Sequence, residues 1–234
     1  MKCVFVFDLD NTFYDYEHSH SSGLKKVFES QNIYQSYQDF ISAYHEVKTK
    51  VHKIMINNPS KHSKLVYFKN MFSSKLKINE IIDLEAIYWE SFIDYAILQK
   101  EAINILETQK NSDFVYYLFT NQNLNIQFKK INSWKLNFFD AIITSEEVGY
   151  EKPNPKFFQY VNPMVNKFYE NGYKIITVGD DFKNDIEYWM NEYDAEAYLI
   201  DNNRKNIKQN KGYFDGNLDS AVYKIFNLDF SSSK

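Results

Sequence analysis

The apolar run Val4–Phe7 ends abruptly in two aspartates, Asp8 and Asp10, which are followed by Asn11 and Thr12. A short apolar run with β-branched and aromatic members predicts a buried strand. In an open α/β sheet, ligands bind just beyond the carboxyl ends of the strands. Two carboxylates at that point predict a metal site or a nucleophile, although this segment alone also fits an Asp-rich turn.

Further apolar runs follow and alternate with segments of helical spacing. The predicted strands are 2–7, 114–119, 139–144, 173–178 and 195–200. The predicted helices of this part are 101–108, 124–134, 156–169, 184–190 and 220–226. Alternation of apolar strands with helices predicts an α/β fold with a doubly wound parallel sheet, covered by helices on both faces.

The chain between the first two predicted strands has a different character. About seventy residues, from Ser22 to Trp89, show repeated helical spacing and no convincing buried strand, with a break at 57–60. We therefore predict an inserted α-helical domain over 17–94 and an α/β core domain formed by 1–16 and 95–234.

Composition excludes several classes of function. The net charge is −4 with Lys and Arg spread along the chain, which gives no basic footprint for nucleic acid. No apolar run approaches the length of a membrane span, and the first residues lack the apolar segment of a signal peptide. The single cysteine, Cys3, cannot form an intramolecular disulfide. We expect a cytoplasmic protein without nucleic-acid or membrane partners, and the oligomeric state stays open.

Polar residues of particular kinds follow the later strands. Thr120 closes the second strand, Lys152 comes after the third, and Asp180, Asp181 and Asp185 follow the fourth. Parallel strands end at one edge of the sheet. Together with the aspartates after the first strand, this set therefore gathers about five carboxylates, one hydroxyl and one ammonium around one crevice.

Such a cluster of acids is costly unless positive charge neutralises it. One lysine supplies part of that charge, and a divalent cation is the natural remainder. Carboxylate oxygens favour Mg²⁺, whereas the five histidines all lie in or before the helical segment. Carboxylate, hydroxyl, ammonium and Mg²⁺ are together what phosphoryl transfer to an aspartate requires.

The ordered set Asp8–Thr12, Thr120, Lys152–Pro153 and Gly179–Asp185 resembles the four motifs of the haloacid dehalogenase-like (HAD) superfamily. The resemblance covers the whole chain and implies a Rossmann-like core. The helical insertion sits where the type 1 α-helical cap of that family sits. The segment Phe7–Thr12 is similar in particular to the phosphatase branch of the superfamily.

The resemblance implies a metal site and a nucleophile. Asp8 corresponds to the nucleophile and a Mg²⁺ ligand, Asp180 to an acidic metal ligand, and Asp185 to a supporting acid near the metal. Asp10 corresponds to the general acid/base, and its backbone carbonyl to a further metal ligand. Asp181 is ambiguous, because it either approaches the metal or begins the next helix, where an acid is favourable.

The resemblance also implies a phosphate site. Thr120 corresponds to the phosphate-binding hydroxyl, with a backbone amide from Asn121. Lys152 corresponds to the lysine that steadies the phosphate and the nucleophile. An acid at the position of Asp10 is typical of phosphatases and phosphomutases in this family. It argues against dehalogenase activity.

We therefore expect a Mg²⁺-dependent phosphatase that hydrolyses a small phosphorylated metabolite, a nucleotide or a sugar phosphate, through a phosphoaspartate intermediate. One alternative is a phosphomutase of the same fold. Another is a non-catalytic or signalling protein on a phosphate-binding α/β fold. The order of the motifs and the length of the chain argue against a receiver-type signalling domain.

Several polar residues lie outside these motifs. His18 and His20 follow the first motif and either line the mouth between cap and core or are ordinary loop histidines. Lys61, His62 and Lys64 lie in the helical insertion, and the prediction for them is a solvated helix face.

Overall fold

The computed structural model describes residues 2–56, 58–201, 208–210 and 212–228. The chain divides into two compact units. The first unit consists of Met1–Asp15 and Leu98–Lys234 and contains the sheet. The second unit is Tyr16–Ile97 and is helical.

One sheet organises the first unit. The strands are β1 (Cys3–Phe7), β2 (Phe114–Thr120), β3 (Ala141–Thr144), β4 (Lys174–Gly179), β5 (Glu196–Ile200), β6 (Lys208–Asn210) and β7 (Tyr213–Gly216). Over the described residues the sheet has seven strands in the order β3-β2-β1-β4-β5-β7-β6. All neighbours pair in parallel except β6, which runs antiparallel to β7.

Helices flank this sheet. They are α5 (Lys100–Gln109), α6 (Leu124–Ser133), α7 (Ser145–Val148), α8 (Pro155–Tyr169), α9 (Glu187–Tyr193) and α10 (Leu218–Ile225). A π-helical turn, Phe182–Ile186, leads into α9.

β1 is an interior strand of the sheet, between β2 and β4, and every one of its side chains is apolar and buried. Successive side chains of a strand point to opposite faces. Val4 and Val6 share a core cluster with residues of α8 and α9, while Phe5 and Phe7 pack edge-on against the Tyr116 ring. Burial of each such side chain contributes about 1.5–3 kcal/mol, so this strand is fixed firmly beneath the residues that follow it.

The second unit contains α1 (Tyr16–Glu29), α2 (Tyr37–Ile54), α3 (Lys64–Phe72) and α4 (Ile78–Asp94), with a 3₁₀ turn at Pro59–His62. Ser36 and Ser63 cap α2 and α3 by accepting hydrogen bonds from backbone amides of the first turn. Gly23 allows α1 to approach α4, since a Cβ there would lie 2.8 Å from the Tyr88 ring.

The predicted doubly wound α/β fold is confirmed by this architecture. β6 and β7 were not predicted, because one has three residues and the other has the sequence Tyr-Phe-Asp-Gly, which lacks a continuous apolar run. Nowhere in the described ranges is there a helix with the length and apolar character that crossing a membrane requires.

The prediction of a solvated helix face was wrong for Lys64. Lys64 is only 4% exposed, and its Nζ lies 5.2 Å from the centre of the Tyr67 ring and 5.5 Å from that of the Tyr88 ring. The aromatic residues of α3 and α4 surround the ammonium with ring faces, which attract a cation. Lys61 and His62 are half-buried.

The two histidines after the first motif have different surroundings. His18 is exposed, whereas His20 is buried inside the helical unit. Nδ1 of His20 lies 2.6 Å from the hydroxyl of Tyr88. Burial, reinforced by the positive charge of Lys64, lowers the pKa of His20 to about 2. The imidazole of His20 is therefore neutral in the folded protein.

This burial predicts a loss of stability on acidification. The folded-state pKa of His20 lies below its unfolded value near 6.5, so the unfolded state takes up the proton and stability falls as the pH drops below that value. Between about pH 7.5 and pH 5 the expected contribution of His20 is a loss of about 2 kcal/mol.

The measurement is the free energy of unfolding by urea at both pH values for the wild type, His20→Gln and the exposed control His18→Gln. His20→Gln should lose less stability than the other two proteins on acidification. An equal loss in all three would show that His20 does not carry this dependence.

Candidate active site

The candidate site lies where the parallel strands end. Asp8 follows β1 and donates its backbone amide to the carbonyl of Val178 on β4 over 2.9 Å. Phe7 pairs with both Leu118 and Val178, so the neighbouring strands β2, β1 and β4 end within two residues of the same level. The register of the sheet thus sets the residues that follow β1, β2 and β4 side by side.

Lys152 connects these strand ends. Its Nζ donates to Asp8 Oδ1 over 2.9 Å, to Asp185 Oδ1 over 2.6 Å and to the Phe119 carbonyl over 2.5 Å. Lys152, Asp8 and Asp185 are all at most 7% exposed. All three donors of the ammonium are therefore satisfied inside the protein.

Electrostatics keeps this lysine charged. Burial lowers the pKa of Lys152, but the carboxylates of Asp185 and Asp8 outweigh that effect and raise it above its ordinary value. The pKa of Asp8 is raised well above its usual value, first by burial and then by Asp185 and Asp180, against the opposing effect of Lys152. One ammonium does not neutralise the carboxylates around it.

Three of these carboxylates can hold a cation together. Oxygen atoms of Asp8, Asp180 and Asp185 all lie within 4.8 Å of one another. Burial, together with Asp185, raises the pKa of Asp180 to about 6 in spite of a hydrogen bond from Asn11. A cluster of carboxylate oxygens in which burial raises the pKa of Asp8 and of Asp180 fits a hard divalent cation such as Mg²⁺.

The end of β4 has the geometry that brings Asp185 into this cluster. The Asp181 side chain accepts hydrogen bonds from the amides of Lys183 and Asn184 and so caps the π-helical turn. Asp185 lies within that turn, where its Oδ2 accepts from the Asp181 amide over 3.1 Å. Gly179 leaves the space that the Asp185 side chain occupies, since a Cβ on Gly179 would lie 2.4 Å from the Asp185 Cβ.

Asn121 fixes the loop that carries Lys152. Its side-chain amide donates to the Lys152 carbonyl over 2.9 Å and accepts from the Lys152 amide over 2.8 Å. The peptide bond between Lys152 and Pro153 is cis. The residue after β2 thus holds the backbone of the loop after β3.

Asp10, two residues after Asp8, has a separate set of hydrogen-bond partners. Oδ1 accepts from Lys130 Nζ over 2.5 Å and from the Tyr14 hydroxyl, and Oδ2 accepts from Gln127 Nε2 over 3.3 Å. Burial alone would raise the pKa of Asp10, but the adjacent Lys130 outweighs it and holds the pKa below its usual value. Gln127 also donates to Thr120 Oγ1 over 2.7 Å.

The structure brings together Asp8, Lys152, Asp180 and Asp185, four of the eight residues that the sequence singled out. Asp10 and Thr120 are joined to each other through Gln127. Asn121 contacts the Lys152 backbone, as described above. Asp181 begins a helical turn with its side chain and is absent from the cluster of carboxylates.

Sequence reasoning missed four residues that contact this set. They are Asn11, Tyr14, Gln127 and Lys130. Gln127 and Lys130 are three residues apart on the helix that follows Thr120, and that spacing places two polar side chains on one helix face. This spacing is the one sequence feature that points to the pair. It identifies them as site residues only when the face of α6 that packs inward is known.

Comparison with known proteins gives a family and a fold. The family described as haloacid dehalogenase-like hydrolase matches residues 4–188. Over 208 residues the chain is 26% identical to the ribulose-1,5-bisphosphate 5-phosphatase of Halopiger xanaduensis, which covers 86% of this chain and 85% of that protein.

Two solved structures share the fold. The magnesium-bound structure of YfnB from Bacillus subtilis has a TM-score of 0.67 at 22% identity, over 97% of this chain and 99% of that one. The HAD phosphatase from Thermococcus onnurineus has a TM-score of 0.65 at 20% identity, over 98% of this chain and 99% of that one.

The tight approach at Gly179 leads to a prediction. Gly179→Ala should displace Asp185 and destabilise the protein by about 1–3 kcal/mol, the usual range for overpacking. It should also weaken Mg²⁺ binding, because Asp185 leaves the carboxylate cluster. Denaturant unfolding and titration calorimetry with Mg²⁺ measure the two effects.

Gly172→Ala is the matched control, because a Cβ there meets no atom within 4 Å although φ is +78°. It should lose stability through the backbone alone and bind Mg²⁺ normally. Unchanged Mg²⁺ affinity in Gly179→Ala would contradict the role given to this contact.

Proposed function

The chain belongs to the haloacid dehalogenase-like hydrolases, and we propose that it is a Mg²⁺-dependent phosphatase acting through a phosphoaspartate on Asp8. The observation that carries this proposal is the buried ammonium of Lys152, which joins Asp8 to Asp185 at the strand ends. An acid two residues after Asp8, namely Asp10, is the second support. The proposed substrate is a small phosphorylated metabolite, either a nucleotide or a sugar phosphate.

Asp8, Asp180 and Asp185 would hold the Mg²⁺ ion, with the backbone carbonyl of Asp10 as the further ligand that the family resemblance implies. When bound, the ion would offset negative charge on the phosphate oxygens. The magnesium-bound structure of YfnB, a protein of the same fold, supports this choice of metal.

The first step is nucleophilic attack by the Asp8 carboxylate on phosphorus. The bond from phosphorus to the ester oxygen breaks, and Asp10, which has first taken the proton of the incoming phosphate monoanion, passes that proton to the departing alcohol. Lys152 keeps one Asp8 oxygen fixed, so the other oxygen is the attacking atom.

The second step releases phosphate. The Asp10 carboxylate, now without its proton, takes one from a water molecule as the water attacks the phosphorus of the phosphoaspartate. The bond from phosphorus to the Asp8 oxygen breaks, which restores the carboxylate and frees inorganic phosphate. Lys152 and the Thr120 hydroxyl would hold the phosphate oxygens throughout, with the Asn121 amide beside them.

The comparisons support phosphate chemistry. One relative is named as a phosphatase of a bisphosphorylated sugar, and one protein of the same fold as a HAD phosphatase. In this proposal the helical unit serves as the cap that selects the substrate. The sequence predicts this cap over 17–94, and the compact helical unit of the structure is Tyr16–Ile97.

The nucleophile assignment predicts the effect of Asp8→Asn. Hydrolysis of p-nitrophenyl phosphate with Mg²⁺ should fall about a thousandfold or more, because an amide cannot form the acyl phosphate. Asp194→Asn is the control, since Asp194 is exposed and in the left-handed region that Asn tolerates. Equal activity in the wild type and Asp8→Asn would rule out Asp8 as the nucleophile.

The metal assignment makes a separate prediction. Chelation with EDTA should abolish hydrolysis and added Mg²⁺ should restore it, because the carboxylate cluster then regains its counter-charge. In Asp180→Asn the Mg²⁺ concentration for half-maximal activity should rise about tenfold or more, as expected for the loss of an anionic ligand. Full activity of the chelated wild type would contradict the proposed cofactor.

A phosphomutase remains the alternative that this fold allows, and its product distinguishes it. Incubation with a sugar phosphate should release inorganic phosphate if the proposal is right. Isomerisation of the sugar phosphate without phosphate release would replace the proposed activity by a mutase activity.

A further inference from the structure

We propose that Lys130 and Gln127 are positioning residues, which fix Asp10 and Thr120 for the reaction proposed above. The inference rests on that proposed function and deepens it. Neither side chain would touch the substrate in this account. Each acts through a residue to which the reaction assigns a direct role.

The two residues lie three positions apart on α6 and face the same way. Both are fully buried. Lys130 Nζ is 2.5 Å from Asp10 Oδ1, and Gln127 Nε2 is 3.3 Å from Asp10 Oδ2. One helix face therefore supplies a donor to each oxygen of the same carboxylate.

The two oxygens of Asp10 are held unequally. Oδ1 accepts from two donors, the ammonium of Lys130 and the hydroxyl of Tyr14. Among the described residues, Oδ2 accepts only the longer bond from Gln127. The Asp10 side chain is 22% exposed, whereas that of Lys130 is 0% exposed. Oδ1 is thus the anchored atom, and Oδ2 is the atom that exchanges a proton with the leaving alcohol and with water.

Gln127 also orients the phosphate-binding hydroxyl. Its Nε2 donates to Thr120 Oγ1 over 2.7 Å, and Thr120 is fully buried. A hydroxyl has one hydrogen and accepts through its lone pairs. Because Gln127 occupies an acceptor position, the Thr120 hydrogen is left to donate to a phosphate oxygen.

A buried ion pair is a poor source of stability, since apolar residues of similar volume often replace it without loss. A structural role alone therefore does not account for Lys130 well. The positioning role makes a prediction that a structural role does not, because it requires the effect of Lys130 to pass through Asp10.

The test compares two substrates, phenyl phosphate and p-nitrophenyl phosphate. Phenol is the poorer leaving group and depends more on a proton from Asp10. Lys130→Met should lower kcat/KM for phenyl phosphate by about 100-fold and for p-nitrophenyl phosphate by about 10-fold or less. Lys129→Met, the exposed neighbour on the same helix, is the control and should match the wild type on both substrates.

A double-mutant comparison separates positioning from structure. Lys130→Met should add less than about twofold to the loss already caused by Asp10→Asn, because residues that act as one unit are not additive. The double variant removes both members of the ion pair, so neither an unpaired ammonium nor an unpaired carboxylate is left buried. It is the protein to use if Lys130→Met alone does not fold. The same fold-loss on both substrates, or a full further loss in the Asp10→Asn background, would overturn the inference.

Gln127→Leu tests the second contact independently. It should raise the inhibition constant of inorganic phosphate by about tenfold, the order expected for a misdirected buried hydrogen bond. Unchanged phosphate inhibition would remove Gln127 from the proposal. A wild type that hydrolyses neither aryl phosphate would overturn the proposed function together with this inference, whereas an active wild type with unselective losses would overturn this inference alone.

Discussion

The buried ammonium of Lys152 is the charge on which the arrangement at the strand ends depends. It lies between Asp8 and Asp185, which follow different strands, and it donates to the Phe119 carbonyl of a third strand. Without it, burial and mutual repulsion would leave these carboxylates protonated or force them apart. With it, the cluster remains short of positive charge, and that shortage makes a divalent cation its natural ligand.

The sheet supplies the positions at which this charge balance is possible. β1, β2 and β4 are parallel and end within two residues of the same level, so one edge carries the residues that follow all three strands. Gly179 and the π-helical turn then let Asp185 fold back over the end of β4. Asn121 fixes the loop of Lys152 from the end of β2. A rigid apolar core thus supports a cluster of charges that would be unfavourable on a mobile loop.

The sequence predicts most of this site, because its residues follow recognisable apolar strands. Asp8, Thr120 and Asp180 each close a buried run, and strand order alone places them on one edge. Lys130 was not predictable in the same way: it stands beside Lys129, and only the packing of α6 decides that one is buried and the other exposed. The prediction for Lys64 was wrong for the same reason, since the rings of Tyr67 on its own helix and Tyr88 on α4 enclose its ammonium.

The proposed mechanism depends on a covalent bond between Asp8 and the phosphoryl group. The most direct measurement is mass spectrometry of peptides from the enzyme, quenched in acid during turnover of p-nitrophenyl phosphate with Mg²⁺. We predict one phosphoryl group on the peptide that contains Asp8, assigned to Asp8 by fragmentation and absent from Asp8→Asn. Phosphate release by an enzyme whose phosphoryl group resides on another residue would contradict it.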